Sequence, residues 1–287
     1  MIIDTFDLPL RYDFEHYELN ETEKYQVFFE ETQGTALFKQ YIWASGNSGF
    51  ALTGVGRNPQ EYPTVSIENG IDGSRAIKLE TKSTGQFGET VKMPIAAGNL
   101  FLGSFDVNNA VQKPLKATRF GLPFGKKPLQ LKGYYKYTPG TQPFKAKDKN
   151  GNTVTIPGQE DEGDIYAVLY EAAELDGKAL DGNNVLTSKN IVALARVEVE
   201  KKDEFTAFHV DFHYGSRIPI DWPKFIQDQR DPSDDGTDKY LPFREEKMKN
   251  YEYNLAVVFT SSKYGAYFAG SVGSTLCIDK VEIVCEK

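Results

Sequence analysis

The chain has 287 residues, long for one domain but within the range of large sandwiches and barrels. It is 40% hydrophobic with 19 Phe and 16 Tyr, enough for a sizeable core without a disulfide scaffold or structural metal, and its 26% charged residues argue against wholesale disorder. A net charge of −8 with no dense Lys/Arg run argues against nucleic acid as a partner.

The first ten residues carry Asp4 and Asp7 and have no basic start followed by an apolar block, so they do not read as a secretory signal. No apolar run reaches the ~20 residues of a membrane helix. The first clear strand is 74–81 (SRAIKLET), where Ala76 and Lys78 oppose Ile77 and Leu79. Residues 129–137 (LQLKGYYKY) place Leu129, Leu131, Tyr135 and Tyr137 on one face, and Gln130, Lys132, Tyr134 and Lys136 on the other. The turn 148–152 (DKNGN) between 144–146 and 154–156 predicts a hairpin. Next, Ile165, Ala167 and Leu169 face the core, leaving Asp164, Tyr166, Val168 and Tyr170 opposite. Asp176-Gly177 and Asp181-Gly182 mark a turn region.

Alternation resumes at 191–199 through Ala193, Ala195, Val197 and Val199, and again through Phe208, Val210, Phe212 and Tyr214. The polar stretch 227–239 reads as a long surface loop, and 243–251 (FREEKMKNY) is the best helical candidate. Strands 255–260 and 276–284 close the chain. On that last strand Cys277 and Cys285 would stand roughly 26 Å apart, beyond disulfide reach. Many short strands, frequent Gly and Pro, no linker and no repeat predict an all-β, two-sheet antiparallel sandwich, with 1–287 as one domain and a monomer.

Several segments carry a family resemblance. The opening YDFE (12–15), the later Trp43, and the closing SVGSTLCIDKVEIV (271–284) resemble the first and last strands of carbohydrate-binding jelly rolls. AAGNLFLGSF (96–105), FGLPFGKKPLQLKGYYKYTPG (120–140), GDIYAVLYEA (163–172) and SSKYGAYFAGSVGSTL (261–276) together resemble the putative carbohydrate metabolism domain of surface and secreted Bacteroidetes proteins. The resemblance implies a jelly-roll sandwich, a carbohydrate partner and a place outside the cytoplasm, with any signal segment absent from this chain. It also implies a structural calcium held by Glu15 and Asp279, near the first and last strands.

Sugar recognition needs aromatic faces and planar polar groups. Trp43 with Asn47, Trp222, Tyr134, Tyr166, Tyr170, Tyr264 and Tyr267 are the candidates. His209, Asp211 and His213 are expected on one strand face, a sugar-contacting set before a metal site because neighbours there are ~7 Å apart. Glycoside hydrolysis would need two facing carboxylates, drawn from Asp164, Glu171 and Asp211, with Glu80 and Glu15 as further acids. The acidic loop with Asp231, Asp234, Asp235 and Asp238 lacks EF-hand spacing. No nucleophile elbow, dinucleotide fingerprint or P-loop is present, so no nucleotide cofactor is expected. Glycan binding is the first reading, hydrolysis by a carboxylate pair the second, and a structural or adhesion spacer the third.

Overall fold

The computed structural model describes residues 7–33, 37–175 and 179–287. Its strands form two main antiparallel sheets. The first runs Lys202–Asp211, Pro128–Thr138, Thr275–Cys285, Ala76–Glu80, Thr64–Ile67, with Arg11–Tyr12 added along Thr275–Cys285. The second runs Thr118–Phe120, Asn99–Phe105, Tyr253–Thr260, Asp164–Glu171, Ile191–Val197, His213–Tyr214, with Trp43–Ala44 and Leu122–Pro123 as short additions. Helices among the described residues are brief, the longest being Gly85–Thr90.

Alternation builds the layer between the sheets. Leu131, Tyr135 and Tyr137 of the first sheet meet Ile165, Ala167, Leu169, Val257 and Phe259 of the second in one core cluster, which takes residues from Leu8 to Ile283. At about 25 cal/mol per Å² of apolar surface, burying each such side chain contributes roughly 1.5–3 kcal/mol. A bulge resets the period in Thr275–Cys285. Leu276 and Ile278 point inward, register shifts at Asp279, and Lys280 takes a φ of 46°. Val281 and Ile283 then return to the core.

Strand Asp164–Glu171 (DIYAVLYE) carries apolar or aromatic side chains on both faces between its terminal acids, and all eight residues are buried. Its outer face carries a second cluster with Phe101, Phe120, Leu194 and Val258, covered by Leu180, Val185 and Tyr240 from distant loops. The expectation that Tyr166 and Tyr170 stand on an open polar face is therefore corrected: later chain folds over that face.

Other differences have local causes. Leu129 is exposed because register shifts between Pro128 and Gln130. The strand expected to 199 ends at Val197. The 208–214 segment is two strands: after Asp211 the chain passes through buried Phe212 to the other sheet, where His213 pairs with Leu194. His209, Asp211 and His213 thus do not share one strand face. The helix within 243–251 is Glu245–Lys249, with Glu245 and Glu246 in its first turn and Lys247 and Lys249 in its last, as the helix dipole favours. The 148–152 hairpin forms as expected between Lys145–Lys147 and Thr153–Thr155. Cys277 and Cys285 are free thiols on one strand. Asp176-Gly177 lies outside the described residues.

Candidate functional site

Where loops do not cover the outer face of the second sheet, a groove open to solvent remains. Strand register lays out its floor. One row crosses four strands, Phe101 beside Val258, Val258 beside Tyr166, Tyr166 beside Arg196. A second row sets Asn99 beside Thr260 and Thr260 beside Asp164. The walls come from the short helices Asn47–Ala51 and Gly85–Thr90, the 110–117 connection, the 182–187 loop, Trp222, and residues 262–268.

The floor holds one bidentate ion pair. Arg196 Nε donates to Asp164 Oδ1 at 2.9 Å and Nη2 to Oδ2 at 2.7 Å. The Asp164 side chain is 3% exposed, so the pair sits in a low-dielectric position and breaking it strands a charge. Beside it, Tyr166 is 5% exposed and its hydroxyl makes no hydrogen bond among the described residues. Burial, reinforced by the Asp164 carboxylate, pushes the phenol well above its usual range, so the hydroxyl stays a neutral donor and acceptor.

Aromatic side chains rim the groove. The Arg230 guanidinium lies over the Trp222 ring at 4.5 Å, and Trp222 stands 6.5 Å from Tyr267 and 6.4 Å from Tyr264. Phe268 is left-handed, φ 57° and ψ 34°, a conformation that costs a bulky residue on the order of 1–3 kcal/mol. It is held there by its own N–H to Gly265 and by the Ala269 N–H to Tyr264. Phe87, 40% exposed, stands on the opposite lip.

The 262–271 loop that presents these rings is closed at its base on one atom. Asp161 Oδ2 accepts from Ser262 Oγ at 2.6 Å, Ser271 N at 2.7 Å and Ser274 Oγ at 2.7 Å. Burial pushes the Asp161 carboxyl up to about 6, against the pull of those three donors. Asp161 sits in a second cleft beyond Arg196 and Lys263, lined by Glu160, Glu162, Glu198 and Glu200.

Of the residues singled out from sequence, Tyr166, Trp222, Tyr267 and Asp164 meet in the groove, with Tyr264 packed behind Trp222. Trp43 does not. It is 4% exposed in the central core, its ring edge-on to Tyr12 at 5.0 Å and its Nε1 donating to Glu30 at 2.8 Å. Asn47 is spent on the Thr64 backbone, and the Tyr170 hydroxyl donates to Phe120 O. Tyr134 and His209 lie on the first sheet, as does Asp211, which accepts from Gln130. His213 is exposed at the edge of the second sheet.

The three proposed acids do not gather. Glu171 is ion-paired to Lys247 at the other end of Asp164's strand, seven residues or about 23 Å away, well outside the ~5–9.5 Å a glycosidase pair needs. Glu80 is held by Lys78 and Lys82. The calcium pair is also otherwise engaged. Glu15 accepts from Arg75 N, while Asp279 accepts from Ile71 N, Ser74 Oγ and Lys280 N. Among the described residues no three His, Cys, Asp or Glu side chains gather around either carboxylate.

Residues 13–284 match the family model of the putative carbohydrate metabolism domain. The chain belongs to that family. Two solved structures extend the match. A putative glycoside hydrolase from Bacteroides thetaiotaomicron VPI-5482 is 42% identical with a TM-score of 0.79, covering 98% of this chain and 72% of that one. A putative glycoside hydrolase from Bacteroides vulgatus ATCC 8482 is 34% identical with a TM-score of 0.76, covering 98% and 99%. No curated protein matches the chain. This carbohydrate metabolism domain has no helix, among its described residues, long and apolar enough to cross a membrane.

Sequence reading missed Arg196, Phe101 and Thr260. Arg196 falls opposite Ala195 and Val197 in the predicted alternation, which put it on Asp164's face, but which strands are neighbours cannot be read from one chain.

Proposed function

We propose that this domain binds carbohydrate in the groove of the second sheet and does not itself cleave it. The observation that carries the reading is the groove floor itself: the Tyr166 hydroxyl, free of hydrogen bonds among the described residues, stands beside the Asp164–Arg196 pair in a groove rimmed by Trp222, Tyr267 and Phe268. A pyranose offers what is lacking there, hydroxyls for Tyr166 and C–H faces for the rings. Among the described residues Asp164 is the one carboxylate lining the groove, and Arg196 holds both of its oxygens. A place outside the cytoplasm belongs to the same reading.

Hydrolysis is the second reading, favoured by the two Bacteroides structures and by Asp161, whose carboxyl at about 6 lies in the range of a general acid. A glycan array, with reducing-sugar release assayed on every hit, separates the two. Retention without release, lost in Tyr166→Phe and Trp222→Ala, is the expected outcome. Release abolished by Asp161→Asn would overturn the binding-only reading.

A further inference from the structure

The chemistry of the groove changes from one corner to the other. At the Asp164 corner stand the Arg196 fork, the Tyr166 hydroxyl, Thr260 and Lys263. At the opposite corner Phe101 meets Phe120 edge-on at 4.9 Å, and Phe105, four residues along the same strand, packs against the same cluster. Ala110, Val111 and Ala117 continue that apolar lining. The row from Phe101 to Arg196 crosses three inter-strand spacings, about 14 Å at ~4.8 Å each. That length exceeds one sugar ring, and a second bare sugar would set its hydroxyls against phenyl rings, leaving them unpaired at a cost of ~1–3 kcal/mol each.

We propose that the ligand is a sugar carrying an apolar substituent, an aryl or acyl group. The ring sits over Tyr166 beside the Asp164–Arg196 pair, and the substituent lies on Phe105 and Val111, half-buried residues of the apolar corner. This rests on the carbohydrate reading of the groove and adds the class of ligand to it. Phe87, 40% exposed, lines the same groove and is available to cover the substituent.

The test is calorimetric titration of the purified chain with matched methyl and 4-methylumbelliferyl glycosides of glucose, galactose, mannose, xylose and N-acetylglucosamine. For the sugar that binds, the aryl glycoside is expected at least ~10-fold tighter, the gain from burying part of one aromatic ring. Phe105→Ala should erase that gain while leaving the methyl glycoside within about twofold. Phe87→Ala, at an exposed position, should reduce it without touching the fold. Equal affinity for both glycosides overturns this inference and leaves the carbohydrate reading standing. Free 4-methylumbelliferone binding as tightly as its glycosides overturns the sugar half, and no binding by any of these probes counts against both.

Discussion

Replacing Arg196 with Met keeps much of its length and removes its charge, leaving the Asp164 carboxylate in place. That carboxylate is 3% exposed and takes both of its guanidinium hydrogen bonds, 2.9 and 2.7 Å, from this one residue. Removing one partner of a buried pair typically costs about 3–5 kcal/mol, because the other charge remains without solvent or counterion. The same rule says that removing both partners is far cheaper. Urea denaturation of wild type, Arg196→Met, Asp164→Ala and the double variant measures the full cycle. Arg196→Met should fall by about 3–5 kcal/mol, and the double variant should recover more than half of that. A loss below about 1 kcal/mol in Arg196→Met would mean the pair is solvated, as surface pairs are, and would refute the low-dielectric account of the groove floor.

Tyr166→Phe should leave stability within about 0.5 kcal/mol, since no intramolecular hydrogen bond is lost, yet weaken carbohydrate binding about 3–10-fold by titration. Trp43→Ala should cost about 3–5 kcal/mol in a denaturant melt while Trp222→Ala costs less, the reverse of their order in binding. Burial, opposed by the Trp43 N–H, pushes the Glu30 carboxyl up to about 7. Between its ordinary 4.5 and that value the folded form holds a proton the unfolded chain has released, so raising the pH costs roughly 3 kcal/mol. Glu30→Gln keeps the acceptor for Trp43 and should flatten that loss when stability is compared at pH 4 and pH 8. Adding millimolar calcium should leave the melting temperature unchanged, and a rise of several degrees would restore Glu15 and Asp279 as ligands.

Much of the sandwich was legible because its physics is local. Alternation placed Leu131, Tyr135, Ile165, Ala167 and Leu169 on the inner faces, and they are there. The site was less legible because it depends on what lies beside and above each strand. Trp43 follows an opening strand, as a binding aromatic could, but Tyr12, Phe14 and Phe259 close around it. Tyr134 and Tyr166 have the same strand pattern, yet one faces out from the first sheet and the other lies under loops from residues 180 to 240. The bulge at Asp279 and the left-handed Phe268 follow no period at all.

The single oxygen of Asp161 at the foot of the 262–271 loop has a consequence for how this groove can be altered. Ser262 and Ser271 are both held on it, so the chain leaves the sheet and returns at nearly one point. Between them Gly270 pairs with Lys145, and Tyr267 and Ala269 are buried with Phe144 and Ile226, which leaves residues 263, 264, 266 and 268 as the positions whose side chains can change without moving the strands on either side. Changing those four residues would re-aim the groove toward a different ligand while leaving the sandwich beneath it intact.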